Sequence, residues 1–245
     1  MRRLTAIGAA TAMAALPLIW GVPSQAATPL CFGKPATIVG TSGDDTLMGQ
    51  GGVSDVIYGG AGKDYISGGD FCGDDAIPGD APDLLCGGPG NDRVTGSPGN
   101  DKLNGGDGAD YVDGGNGADL EQGNAGNDTV GKGSFADADS ANDVMHGNGG
   151  NDVLNGGWGK DKMYGDAGAD RLYDEECDGP TLLSGGDGDD YMESWSSSYD
   201  GWHGNVCHTV ADQVVGATGT DSAQVDRLDS VSTVEHITRI TRPTS

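Results

Sequence analysis

The residues with chemistry to offer are aspartates at a fixed interval. Asp92, Asp101 and Asp110 stand nine residues apart, and each closes a hexad with glycine at its first and fourth places. Extending that frame both ways finds eleven such hexads between Gly40 and Asp190, beginning at Gly40, Gly59, Gly87, Gly96, Gly105, Gly114, Gly123, Gly147, Gly156, Gly165 and Gly185. Six of them read GGxGxD in full: 59–64, 87–92, 105–110, 114–119, 156–161 and 185–190. One hexad would mean little, but eleven in one frame mark an internal repeat, which has to be recognised before any other fold reasoning. Acidic residues held at fixed places read as ligands for a cation. Glycine beside them allows backbone angles that other residues resist and lets carbonyls converge on a point.

The elements that must position these aspartates follow from the eighth place of each nine-residue unit. It holds Leu47, Ile57, Ile66, Leu85, Val94, Leu103, Val112, Val130, Met145, Leu154, Met163, Leu172, Leu183 and Met192. Most have a polar neighbour on at least one side, so every unit predicts a glycine turn followed by a very short strand. Alternation along a strand sends the eighth place to one face. Glu121 interrupts this series, which predicts that Leu120 rotates inward or that the strand bulges. Unit 49–58 has one extra residue, and 68–86 and 132–146 carry insertions. Unit 174–184 lacks the glycines and the sixth-place aspartate, so no full site is expected there.

The units resemble the RTX (hemolysin-type calcium-binding) nonapeptide GGxGxDxUx, over 154 of 245 residues from Gly40 to Glu193. That resemblance implies an all-β fold, a parallel β-roll in which two nonapeptides make one coil, with small β caps. It implies calcium between each loop and its equivalent a coil later, held by carboxylates and carbonyls. The sixth-place residues then form two ladders. One holds Asp45, Asp64, Asp92, Asp110, Asp128, Asp152, Asp170 and Asp190; the other holds Asp55, Asp83, Asp101, Asp119, Asp143 and Asp161. The glycines expected to shape the sites are Gly59, Gly62, Gly87, Gly90, Gly96, Gly99, Gly105, Gly108, Gly114, Gly117, Gly156, Gly159, Gly165 and Gly168. Gaps between rungs set a ceiling of about twelve ions. Rungs one strand spacing apart, about 4.8 Å, set carboxylates repelling by roughly 0.9 kcal/mol in water and 3.5 at an effective dielectric of 20. The repeat zone is therefore expected to stay largely unfolded without calcium and to fold on binding it.

Composition agrees. Glycine supplies 46 of 245 residues and aromatics 6%, which rules out a large conventional core. Arg2 and Arg3, an apolar run from Leu4 to Val22 and Ser24-Gln25-Ala26 have the order of a secretory signal over 1–26, with a mature chain from about Ala27. Loss of the two arginines takes the net charge from -25 to -27. Excess of that sign argues against nucleic acid and membrane as partners. An extracellular protein is expected, in which Cys31, Cys72, Cys86, Cys177 and Cys207 favour disulfides. Cys72–Cys86 would staple the insertion 70–82, Cys31 pairing with either is equally allowed, and Cys177 could reach Cys207. An odd count leaves one thiol over.

Residues 27–39 read as an N-terminal cap segment with a strand around Thr37–Val39. In 194–245 short alternating runs suggest strands, read as a C-terminal β cap over the open end of the roll. A glycan or peptide site around Trp195, Tyr199, Trp202 and His203 is the functional alternative. No HExxH, GxSxG or Walker A motif occurs, and the expectation is a protein that is not an enzyme. His146, at a ninth place, is expected to be solvated. The RTX proteins that carry toxin, protease or lipase domains ahead of their repeats are a poor guide to this chain, so only calcium binding transfers. The alternatives on the same scaffold are an adhesin or a carbohydrate- or ice-binding surface, and a hydrolase with its site in the tail. Regular outward threonine ladders, which would favour ice, are absent.

Overall fold

One apolar side chain per nine residues cannot build a layered core from a single unit. It can do so only if units stack in register, so that each buries its neighbour's residue. The computed structural model describes residues 27–69, 81–131, 141–174, 181–194, 212–225 and 229–239, and shows this stacking as a parallel β-roll. Successive strands go to opposite sheets and each pairs with the strand two places on, giving two ten-stranded parallel sheets face to face. One sheet is built of short strands such as Arg93–Thr95, Tyr111–Asp113 and Thr129–Gly131. The other has longer ones such as Lys102–Asp107, Leu120–Ala125 and Val144–Gly149. The described residues contain no helix, and hence none long and apolar enough to cross a membrane.

Register carries the eighth places into two files that meet between the sheets. Val94, Val112, Val130, Leu154 and Leu172 stack in one sheet. Leu85, Leu103, Met145, Met163 and Leu183 line the other. From Ile57 to Met192 the apolar members are fully buried, while Leu47 in the first coil is partly covered.

Four expectations need correction or completion. Glu121 neither bulges nor yields its place: Leu120 pairs with Lys102 and Glu121 with Leu103 in unbroken register, so the glutamate itself enters the core. The short flanking runs leave no slack for a strand to rotate, because a one-residue slip would turn every neighbour outward. His146 is not simply solvated. Its ring stacks on Tyr164 at 4.7 Å and Nδ1 lies 2.9 Å from Asp166 Oδ2, since ninth places of adjacent coils fall side by side.

The sheets also continue past residue 193. Gln213–Thr218 pairs in parallel with Leu182–Asp187, and Ser222–Val225 with Tyr191–Ser194. Ser230–Ser232 and His236–Arg239 add one further strand to each sheet. The described part of the tail thus extends the roll by the same pairing that builds it, with Val214 and Ala223 in the interior files. At the other end, Ile38–Val39 is the first strand of the long-strand sheet, preceded by an antiparallel hairpin of Leu30–Cys31 with Lys34–Pro35. Cys31 is joined to Cys86, with Cα atoms 5.7 Å apart, which excludes the Cys72–Cys86 staple. Cys72, Cys177, Cys207, the signal segment 1–26 and the cluster Trp195, Tyr199, Trp202 and His203 lie outside the described residues.

Candidate metal centre

Every sixth-place aspartate ends a loop just before a strand, so parallel pairing of the strands stacks the carboxylates at one spacing. The stacking is locked by a hydrogen bond the sequence does not announce. The backbone N–H of Asp64 donates to Oδ1 of Asp92 at 2.8 Å, that of Asp92 to Asp110 at 2.7 Å, and that of Asp110 to Asp128 at 2.8 Å. Asp45 leads into this file through Asp64, and Asp128, Asp152, Asp170 and Asp190 prolong it. The second file runs from Asp55 through Asp83, Asp101, Asp119 and Asp143 to Asp161 in the same manner. Both ladders therefore exist as files of clamped carboxylates.

With Oδ1 engaged, the other oxygen matters. Oδ2 of Asp64, Asp92, Asp110, Asp128, Asp152, Asp170 and Asp190 is buried and has no hydrogen-bond partner. A buried charge without a partner is costly, and a native fold tolerates it only where something else meets it. Burial, then the neighbouring carboxylates, push Asp92 and Asp152 up to about 6 and Asp110 and Asp170 up to about 7. Asp64, Asp128 and Asp190 move the same way, burial again leading.

Glycine shapes the space around these oxygens. A Cβ on Gly87 would collide with Oδ2 of its own Asp92 and with the Gly105 carbonyl, so the first place is a cradle under the carboxylate. The same holds at Gly59, Gly96, Gly105 and Gly165; at Gly114 the aspartate alone is met, and at Gly156 the contact with Asp161 Oδ2 is looser, at 3.0 Å. The fourth places stack on one another. Gly90 has φ +152° and lies against the Gly62 carbonyl, Gly108 against Gly90, and Gly117 against Gly99. Gly168 lies against Gly150 and Gly159 against Ala141 in the same way. Buried carboxylate oxygens with backbone carbonyls close by form an all-oxygen donor set of the kind calcium takes.

Two features escaped the sequence reading. Asparagine at the fifth place is itself a ladder: Asn91 Oδ1 accepts from Ala109 N–H at 3.0 Å, and Asn100 accepts from Ala118 likewise. Asn127, Asn142 and Asn151 repeat the bond. The recurring Asn-Asp dipeptide was the signal. The aspartate ladders also run on past residue 193: Asp190 N–H donates to Asp221, which closes a further hexad, GATGTD at 216–221. Asp221 N–H donates to Glu235 Oε2 and Asp212 N–H to Asp229, neither Asp212 nor Asp229 closing a glycine hexad. Thr181 stands at the rung between Asp161 and Asp212, where no carboxylate is available.

A family model described as the RTX calcium-binding nonapeptide repeat matches the chain in four copies, at residues 39–71, 87–121, 137–172 and 182–196. That family is one of calcium-binding repeats and not of catalysts. No curated protein matches the chain.

Proposed function

The chain belongs to the RTX calcium-binding repeat family, and on that premise we propose that it is a secreted protein whose roll folds as its aspartate ladders take up calcium. The observation that carries the reading is the file of buried Oδ2 atoms from Asp64 to Asp190, engaged by nothing in the protein. The residues that would hold the ions are the sixth-place aspartates of both ladders, with the glycine-flanked loops supplying carbonyls. Calcium, when bound, brings the positive charge that such a stack of carboxylates needs. The chain's own contribution is orientation: each backbone N–H fixes Oδ1 of the next rung and leaves Oδ2 turned toward the glycine cradle. Stacked fourth-place glycines keep the loops close enough for neighbouring rungs to share one ion.

Folding on binding is supported by the same geometry. A roll with its ladders ionised and unneutralised would carry like charges a few ångströms apart in a buried file, against the help of one apolar residue per unit. Export is supported by the charged, apolar and small-residue order of 1–26, and by the Cys31–Cys86 disulfide, which persists in oxidising compartments. The test is a calcium titration of the mature chain followed by far-ultraviolet circular dichroism, with magnesium as control. A cooperative gain of β-signal with calcium alone is expected. Identical strand content with calcium and with chelator would defeat folding on binding. Sequencing the amino terminus of the exported protein, expected near Ala27, tests the signal.

A further inference from the structure

Glu121 is the one acid at an eighth place, and it divides the core. Leu103 and Met145 flank it in its sheet, yet the apolar residues form two separate clusters. One ends with Leu103 and Val112, the other begins with Val130 and Met145. The side chain is wholly buried. Oε2 accepts from Gly131 N–H at 2.9 Å, while Oε1 is enclosed with no hydrogen-bond partner. A buried carboxylate oxygen left without a partner is costly, and a native fold tolerates it only where something else meets it.

The glutamate reaches toward the metal ladder. Glu121, Asp119 and Asp143 each present a carboxylate oxygen, and these atoms all lie within 4.8 Å of one another. Ligands on one calcium at 2.3–2.6 Å are separated by at most about 5.2 Å, so a single ion can touch all three. Asp119 and Asp143 are adjacent rungs, joined by Asp119 N–H to Asp143 Oδ1 at 2.9 Å. The hexad that ends at Asp143 also has alanine, Ala138 and Ala141, at the two places where the hexad ending at Asp119 has Gly114 and Gly117.

We propose that Glu121 joins Asp119 and Asp143 to make this rung a three-carboxylate cation site, the tightest in the roll. It rests on the calcium-ladder reading and adds to it a residue from outside the nonapeptide pattern. Elsewhere a gap between two aspartate rungs offers two sixth-place carboxylates; here a third arrives from the core side. Extra ligand charge on a rigid frame is what raises calcium affinity. A leucine at the same place, as at Leu103 and Leu183, would close the two apolar clusters into one. The glutamate forgoes that burial for a ligand.

The test is equilibrium calcium binding to the full chain, measured by flow dialysis, for wild type, Glu121→Gln and Glu121→Leu. In wild type one ion is expected to remain at free calcium low enough to empty the others. In both variants that ion should bind roughly tenfold more weakly or worse, with the remaining ions unchanged. Glu121→Leu guards against misfolding, because it restores the residue type of the file. Wild-type affinities throughout in both variants would overturn this proposal alone. Absence of calcium binding by wild type would instead overturn the ladder reading beneath it.

Discussion

The backbone N–H of Asp190 donates to Oδ1 of Asp221 at 3.1 Å, across 31 residues instead of the usual 18. The ladder thus steps over the segment between the two and resumes at Asp221, the sixth place of the hexad GATGTD at 216–221. Strands Gln213–Thr218 and Ser222–Val225 cover the edges that Leu182–Asp187 and Tyr191–Ser194 would otherwise expose. A chain ended after Ser194 should therefore self-associate in calcium through bared parallel edges. Light scattering would read it, and a monodisperse product would show that the tail strands are dispensable.

Asp110 separates the two roles of a rung. In Asp110→Asn the amide oxygen still accepts from Asp92 N–H, but the charge serving the gaps on either side is gone. The calcium concentration at half-folding should rise on the order of tenfold. Without calcium the same change should cost nothing, since it relieves repulsion from Asp128 and Asp92. Asp107→Asn, at an exposed third place, should leave the midpoint where it is. Circular dichroism at graded free calcium compares the three.

The pH dependence has a definite sign. Asp110 and Asp170 are raised to about 7, and Asp92 and Asp152 to about 6, burial being the main cause. Raised carboxyls bind protons more tightly folded than unfolded. In the calcium-free roll their contribution is most favourable at low pH and is lost as pH rises through 6 to 7. Calcium must displace those protons, so its affinity should fall as pH drops through the same range, with proton release on binding. Calorimetry in two buffers of different ionisation enthalpy, on either side of pH 7, measures that release.

Gly90 tests the stacked loops. Alanine there meets the Gly62 carbonyl at a φ of +152°, a conformation that costs a residue with a side chain roughly 1–3 kcal/mol even before the collision. Gly90→Ala should lower the thermal midpoint in saturating calcium. Asn116→Ala, exposed and bonded only through its carbonyl to Gly99 N–H, should not.

These predictions lean on features of unequal visibility. The spacing of Gly87, Gly90 and Asp92 carried the roll, its two files and its ladders, because a nine-residue period has one way to repeat its contacts. The tail's continuation of the two ladders was missed because Asp212 and Asp229 keep the sixth place without a glycine hexad, and the hexad 216–221 that ends at Asp221 stands apart from the repeat zone. Local motif and ladder position had come apart. Glu121 was misjudged for a related reason: hydropathy placed it outside, whereas register left it nowhere else to go. The Cys31–Cys86 pair depended on a hairpin of a few residues lying beside the third strand of its sheet, which no spacing rule conveys.

The two ladders of hydrogen bonds also run in opposite senses. Sixth-place N–H groups point to the carboxylate of the following coil, and fifth-place N–H groups to the asparagine of the preceding one. A coil is therefore different above and below, and a bare coil face at one end of the roll would be unlike the face at the other. Copies of such a body, brought end to end, would fit head to tail and not head to head. A head-to-tail contact without a closing rotation builds a filament in place of a closed dimer.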